Sequence, residues 1–247
     1  MWSVGVAACL LPVLGPLAER ATVDFAAHMV GHLLLGMLGP LLLVLSAPVT
    51  LALRTLPVRG ARALVRLLDT WPVRCLVHPV TAAVLNLGGL WVLYTTGLYS
   101  LTLSSPVAHG LVHFHILVSG YLFAAAIVGI DPDRHRPSLL VRSVVLVSYM
   151  AGHSILAKFI YAHPPIGVDA GQAELGAMVM YYGGDAVDLL LLVILGHRWY
   201  VRGTQRLSRA PSRRSPAGPS PLPWDPAGLR GRTPPWAGRA GRGVRRR

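Results

Sequence analysis

Six apolar segments joined by short loops constrain the fold of this chain more than any other feature of its sequence. The segments are residues 2–18, 25–53, 79–96, 107–130, 139–162 and 173–196. Runs of about 18 or more apolar residues with few charges are typical of membrane-spanning helices, and charged residues make up only 13% of the chain. We therefore predict an all-α, polytopic transmembrane helical bundle of about six spans, which occupies residues 1–200 and is surrounded by the lipid bilayer.

The arginines mark the loops that remain in the cytoplasm. Five lie between residues 54 and 74 and three between residues 131 and 142, whereas the loops at residues 97–106 and 163–172 carry none. Because positively charged loops stay on the cytoplasmic side, both termini are predicted to be cytoplasmic. The stretch at residues 54–74 also mixes arginines and apolar residues with a helical period, so we expect it to lie along the inner membrane surface.

The remaining composition narrows the class of protein further. The net charge of +13 follows from the loop arginines and from the C-terminal part, so no nucleic-acid partner is expected. From about residue 201 Pro, Gly, Ser and Arg dominate, which predicts a disordered basic cytoplasmic tail over residues 201–247. The first apolar segment lacks a basic start and a cleavage motif and is interpreted as a retained helix. Cys9 and Cys75 stand far apart, which argues against a thiolate metal site.

Several of these apolar segments contain histidines, which are uncommon in membrane-spanning helices. His28 and His32 are four residues apart, which places them on one face of a helix about one turn apart, and His109 and His113 repeat that spacing. With the predicted orientation, seven of the ten histidines lie toward the outer side of the membrane. A polar group in lipid is costly unless it pairs or binds something, so these residues are candidate metal ligands. The candidates from this pattern are His28, His32, His109, His113, His115 and His153.

Each candidate also has an ordinary structural explanation. A single His on a spanning helix, such as His153, can hydrogen-bond across a helix pair, and His115 can lie unpaired at the interface. Asp185 and Asp188 need partners in an apolar helix, and Lys158 is one candidate for an internal ion pair. Otherwise Asp185 could orient a ligating histidine. The methionines of the spans, Met37, Met178 and Met180, are expected to be core packing.

Imidazoles with thioether and carboxylate neighbours suit copper or zinc. Neither histidine pair includes the glutamate of an HExxH motif, so a zinc protease is disfavoured and no enzymatic activity is expected. Two alternatives remain open. One is a membrane haem protein or electron carrier, since haem is also ligated by histidines from facing helices. The other is a copper importer, although the run after Asp188 offers no polar path to the inner face.

Four stretches together resemble one protein family. They are AHMVGHLLLGMLGPLLLVLSAP, HFHILVSGYLFAAAIVGIDP, AGHSILAK and LGAMVMYYGGDAVDLL, and in this order they resemble the polytopic CtaG family of cytochrome c oxidase assembly factors. The resemblance covers residues 12–196. The positions that match the histidine pattern of the family are His28, His32, His113, His115 and His153, and the carboxylate of its last helix corresponds to Asp185.

The resemblance implies a multi-pass protein of the bacterial plasma membrane that helps to mature a haem-copper oxidase. Its partners would be cytochrome c oxidase subunits, and its cargo would be copper. The resulting hypothesis is a bundle that binds copper near its outer face, with His28 and His32 as primary ligands. His109, His113 or His115 would complete the site, and His153 and Asp185 would orient it. A purely structural role for the histidines in an assembly complex is the remaining alternative.

Overall fold

The computed structural model describes residues 1–130 and 136–209, with side chains as far as residue 201. Within these residues it consists of helices and connecting turns, with no strand, so the all-α prediction is confirmed. In chain order the helices are α1 Trp2–Leu14, α2 Pro16–Ala21, α3 Phe25–Leu33, a π-helical segment Leu34–Leu38, α4 Gly39–Leu45, α5 Pro48–Thr55, α6 Val58–Leu68, α7 Trp71–Leu76, α8 Pro79–Thr95, α9 Leu98–Ser104, α10 Pro106–Val128, α11 Leu139–Ala162 and α12 Ala170–Arg209.

Four helical segments are long and apolar enough to cross a membrane, which is fewer than the six predicted. They are Phe25–Leu45, α10, α11 and the part of α12 up to Val201; α8 and α9 make a fifth if this pair, bent by 78°, counts as one span. The predicted first span is the 13-residue helix α1. At 1.5 Å per residue it is about 20 Å long, shorter than the hydrocarbon core of about 30 Å. The cytoplasmic location of both termini stays a prediction.

The segment from α3 to α4 is a helix with one expanded turn. Pro40 has no backbone N–H to donate to the preceding turn, and the Gly39 N–H bonds to the Leu34 carbonyl in the π pattern. Beside this turn α10 approaches closely, because a Cβ on Gly120 would collide with the carbonyl oxygen of Gly36. The expanded turn therefore follows His32 directly and fixes how α3 meets α10.

The arginine-rich stretch after α4 forms the short helices α5, α6 and α7, none of which has a buried residue. On α6 the arginines at 59, 62 and 66 share one side and are exposed. This arrangement agrees with an amphipathic surface helix, and the predicted contact with the inner membrane surface stays a prediction.

Hydrogen bonds hold α11 and α12 against the end of α10. The chain leaves α10 at Gly129, which has a φ of 57°, a left-handed conformation that favours glycine. The buried Arg142 of α11 donates to the carbonyl of Ile127, 2.8 Å away. Arg198 of α12 donates to the carbonyl of Gly129 at 3.3 Å. These arginines satisfy carbonyls that the helix end leaves without an intrahelical partner.

Two apolar clusters fill the bundle at different levels along its helices. The first includes Met29, Leu90, Ile116, Leu156 and Met180. The second includes Leu41, Ala82, Phe123, Leu146 and Leu191. On α8, α10, α11 and α12 the stretch between the two clusters carries a buried polar residue, and on α3 the buried His32 lies between Met29 and Leu35 of the first cluster.

α12 continues as far as Arg209, so the first residues of the predicted tail, 201–209, are helical. The rest of the predicted disordered tail, residues 210–247, lies outside the described residues. So do Arg134 and His135 of the loop before α11.

Candidate functional site

The polar residues between the two apolar clusters form one layer across the bundle, which we call the polar layer. Its members are His32, Asn86, Ser119, His153 and Asp188, and each is at least 95% buried. Each comes from a different helix, α3, α8, α10, α11 and α12 in turn. Burying an unpaired polar group costs free energy of the order of 1–3 kcal/mol, so the layer is the candidate functional site.

His32 and His153 face each other at the centre of the layer. Their ring centroids are 6.3 Å apart, and the planes of the two rings differ by 26°. All four of their ring nitrogens are buried, and no described residue hydrogen-bonds to them. An ion held at about 2 Å from one nitrogen of each ring separates the ring centres by at most about 6 Å. The ring centres lie at about this limiting distance, so an ion shared by the two rings would need a nitrogen of each ring turned toward the other.

Glycines make room for both rings. A Cβ on Gly184 of α12 would collide with the imidazole of His153, and a Cβ on Gly36 would lie 3.3 Å from Cε1 of His32. Because neither position carries a side chain, the helices approach closely enough for the two rings to meet. The sequence GlyGlyAsp in α12 is therefore part of the geometry of the histidine pair.

A chain of hydrogen bonds satisfies the other side of the polar layer. The Tyr149 hydroxyl donates to Oδ1 of Asn86 at 2.8 Å, and Nδ2 of Asn86 donates to Oγ of Ser119 at 3.4 Å. The Ser119 hydroxyl donates in turn to the carbonyl of Ile116 at 3.3 Å. The ring of Tyr149 stacks on that of His153, with centroids 6.0 Å apart. These polar groups thus support His153 without occupying its nitrogens.

The two carboxylates of α12 differ in their surroundings. Oδ1 of Asp185 accepts a hydrogen bond from the Ser154 hydroxyl at 3.1 Å, and Asp185 interacts electrostatically with His153. Both oxygens of Asp188 are buried without a hydrogen-bond partner among the described residues. The predicted ion pair with Lys158 is wrong, because Nζ of Lys158 lies over the ring of Tyr181, 5.3 Å from its centroid.

His28 lies about one turn from His32, toward the end of the bundle where α3, α10 and α12 begin; we call this the histidine end. Its Nε2 is 3.1 Å from the hydroxyl oxygen of Tyr94, within hydrogen-bond distance. The ring stacks on Phe25 at a centroid distance of 5.8 Å and meets the edge of Tyr99 at 5.0 Å. His28 is therefore half-buried in an aromatic cage and already has a polar partner.

The second histidine pair is satisfied within its own helix. The rings of His109 and His113 stack with centroids 4.0 Å apart, and Nδ1 of His113 donates to the carbonyl of His109 at 2.9 Å. Both rings are half-buried. The pair is near enough to His28 for an electrostatic interaction, so the structure does bring the two pairs to the same end of the bundle.

His115 points away from the other histidines. Its side chain is exposed, and its Nε2 donates to the carbonyl of Leu85 on α8 at 3.1 Å. Gly89 of α8 gives the ring its place, since a Cβ there would lie 2.5 Å from Nε2. His115 thus resembles the structural histidine that hydrogen-bonds across a helix pair.

Across residues 1–130 and 136–209, no three side chains of His, Cys, Asp or Glu are grouped so that they could hold a metal ion. The seven predicted site residues instead divide into a central unpartnered pair and a surrounding set with partners. The central pair is His32 and His153, and the surrounding set is His28, His109, His113, His115 and Asp185. Metal binding by these residues stays a prediction.

Several residues of the site were missed in the sequence. Tyr94, Asn86 and Tyr149 hold or support the histidines, and Gly184 gives His153 its space. The signal that could have found Asn86 is its position as a lone amide in the apolar segment at residues 79–96. Tyrosines are common at the ends of membrane helices, and nothing in the sequence distinguishes the three that touch histidines.

Comparisons with known proteins give one matching family and several similar mycobacterial proteins. The model of the family described as cytochrome c oxidase caa3 assembly factor matches residues 1–202. Uncharacterized proteins of Mycobacterium bovis and Mycobacterium tuberculosis are each 38% identical over 160 residues, and one of Mycobacterium leprae is 33% identical over the same length. These matches cover 62% of this chain and 24% of each relative, so the chain spans about a quarter of the length of these curated relatives. No solved structure gives a significant match.

Proposed function

Because this chain belongs to the cytochrome c oxidase caa3 assembly factor family, we propose that it supplies copper to an oxidase subunit during assembly. The cargo would be held between His32 and His153 and released at the histidine end, which would face the outside of the membrane. No bond-making chemistry is involved, because transfer proceeds by exchange of ligands. The copper and the handover are the parts of this proposal that go beyond the family.

The observation that carries the proposal is that the ring nitrogens of His32 and His153 are buried without hydrogen-bond partners among the described residues. Folded proteins rarely leave such groups unsatisfied. A neutral imidazole is a good ligand for copper. A bound ion would therefore remove the cost of burying these nitrogens and would explain why the polar layer is tolerated.

The packing around the pair favours a bare ion over a haem. A haem ligated by both histidines would need a flat cavity between the two rings, wide enough for the porphyrin. Instead, a single added methyl group at Gly184 would already collide with His153, and the adjacent core residues Met29, Leu156 and Met180 are fully buried. Side chains packed this closely on the flanks of the pair leave no space for a porphyrin, whereas a single ion needs only one nitrogen of each ring.

The partnered histidines suggest how the ion would enter and leave. His28, His109 and His113 lie between the central pair and the histidine end, and their partners are a tyrosine hydroxyl and a backbone carbonyl. Such hydrogen bonds contribute about 1 kcal/mol each, so His28 and His113 can exchange them for a passing ion, while the His109 ring only stacks on His113. This arrangement suits a carrier, which must release its cargo.

The test is copper binding by the purified protein in detergent. We expect about one Cu(I) per chain in the wild type and loss of that copper in His153→Ala. His163→Ala is the matched control, because His163 follows the last residue of the same helix α11 but is exposed and stacks only on Phe159. The control should keep its copper.

Two results would overturn the proposal. One is a wild-type protein that retains no more copper than His153→Ala. The other is a Soret band in the visible spectrum that disappears in His153→Ala, which would indicate haem instead. Complementation of oxidase activity in cells that lack the protein would then show whether copper binding and assembly fail together.

A further inference from the structure

Met180 lies in α12 where it can reach the histidine pair. Its side chain is fully buried, with 0% exposure. It is four residues after Gly176 and four before Gly184, and helix positions four apart lie about 40° from each other around the axis. Gly176 is packed against Phe25 and Met29 of α3, and Gly184 is packed against His153 of α11. Met180 therefore points into the seam between α3 and α11.

Met180 also lies at about the same level along the bundle as His32 and His153. Gly176 lies beside residues 25 and 29 of α3, and Gly183 lies beside Leu33, so α3 and α12 run in the same direction. Met180, between Gly176 and Gly183, is level with the stretch of α3 from Met29 to His32. On α12 it is one turn from Gly184, the residue against which the ring of His153 rests.

The pair lacks a third ligand of the usual kinds. Within the described residues no third imidazole, thiolate or carboxylate joins His32 and His153 in a metal-binding group. A thioether is a further donor type, and as a soft ligand it favours Cu(I) over zinc more than the phenol oxygens of the nearby tyrosines would. We propose that Met180 is a thioether ligand that completes, with His32 and His153, a three-coordinate site selective for Cu(I).

This proposal rests on the proposed function and adds a third ligand and the selectivity of the site for Cu(I) over Zn(II). It also assigns a role to a residue whose packing alone could be provided by leucine, which occurs at four other buried positions of the cluster. The electroneutral thioether adds affinity for a soft ion without adding a buried charge, which the bilayer interior would make costly.

The experiment compares Met180→Leu with Met178→Leu. Leucine conserves the volume and the apolar character of methionine, so both variants should fold. Met178 is on the same helix, but its side chain is 40% exposed and lines an open groove between α11 and α12. Affinity is measured for Cu(I) in competition with a chromogenic chelator and, separately, for Zn(II).

We expect Met180→Leu to bind Cu(I) about tenfold more weakly, because one soft ligand is lost, and to bind Zn(II) as the wild type does. Met178→Leu should match the wild type for both ions. An equal loss for both ions in Met180→Leu would indicate a packing defect and would overturn the proposal, and so would an unchanged affinity for Cu(I).

X-ray absorption at the copper edge gives a second readout that does not depend on a variant. In the wild type loaded with Cu(I), one sulfur scatterer should appear beside two imidazole nitrogens. A first shell of nitrogen alone would overturn the role of Met180 and leave the proposed function standing. A wild type that binds no copper would overturn both.

Discussion

Two histidine pairs with the same spacing have different surroundings in this bundle. On α3 the inner member of the pair, His32, is buried, its nitrogens have no partner among the described residues, and it faces His153. On α10 the corresponding residue, His113, is half-buried and donates to the carbonyl one turn before it. The spacing of four residues places both pairs on one helix face, but it does not determine what that face meets.

The difference shows that the surroundings of a histidine depend on the neighbouring helices rather than on the spacing of the motif. α3 is covered by α12 at Gly176 and Gly183, and His32 is buried away from water. The start of α10 is less covered, and its histidines find partners within the helix. Substitutions at buried, unpartnered histidines are therefore expected to have larger effects than substitutions at histidines that already have partners.

The largest effect is expected when one imidazole of each pair is removed in turn and the losses of copper affinity are compared. His32→Ala should weaken Cu(I) binding by about 100-fold or more, because a site built on two imidazoles loses one of them. His113→Ala should change the affinity by no more than about threefold, since His113 has its own partner. Competition with a Cu(I) chelator measures both. Equal losses would mean that the two pairs share one ion.

The next test uses the glycines that make room for histidine rings. Gly184→Ala should destabilise the protein by about 2 kcal/mol, because the added methyl group collides with the buried ring of His153. Gly89→Ala should cost about half as much, since the exposed ring of His115 can swing away and lose only its hydrogen bond.

Gly196→Ala is the control for both glycines, because a Cβ there meets nothing within 4 Å. It should be neutral or slightly stabilising. Thermal unfolding in detergent gives the comparison. A Gly184→Ala protein as stable as the control would show that the contact between α11 and α12 is loose.

A third change separates stability from function. His153→Leu should stabilise the copper-free protein by about 1 kcal/mol, because it replaces a buried polar group that lacks a hydrogen bond. The same variant should lose the rise in unfolding temperature that copper gives the wild type. His113→Leu should show neither effect. Destabilisation by His153→Leu would indicate that the ring has a structural partner.

The smallest effect is expected at the cage around His28. Tyr94→Phe removes the hydroxyl that meets Nε2 of His28 and should cost roughly 0.5–1 kcal/mol. Because the freed imidazole can then receive the ion more readily, copper should load faster while the affinity of the central pair is unchanged. Stopped-flow measurement of Cu(I) uptake checks the rate. A slower uptake would mean that the hydroxyl positions His28 for the ion.

Much of the architecture could be predicted from the sequence, because its cause is local. Long apolar runs must form helices in a bilayer, since every backbone polar group has to be satisfied within the segment. The spans around residues 25–45, 106–128 and 139–162 were found in this way. The count of six is not confirmed: four segments of the described residues, or five with the bent pair of α8 and α9, are long enough to span, and α1 has only 13 residues.

The candidate site was only partly predictable, because it also depends on contacts between segments that are distant in the sequence. The histidines were visible as costly residues in apolar segments, and His32 and His153 were among the candidates. Their separation from His115 and from the pair on α10 was not visible, because the order of helices around the bundle cannot be obtained from loop lengths. Asn86 and Tyr149 enter the site through contacts between residues 63 positions apart.

The sequence by itself therefore determined the helices, their apolar faces and the candidate ligands, since all of these depend on the order of side chains along one segment. Only the tertiary structure decided which imidazoles meet. That outcome depends on glycines at 176, 183 and 184 that let α12 approach α3 and α11, and on the apolar clusters that enclose the polar layer on both sides. Close packing between distant segments is what leaves His32 and His153 with each other and with no other partner in the described part of the chain.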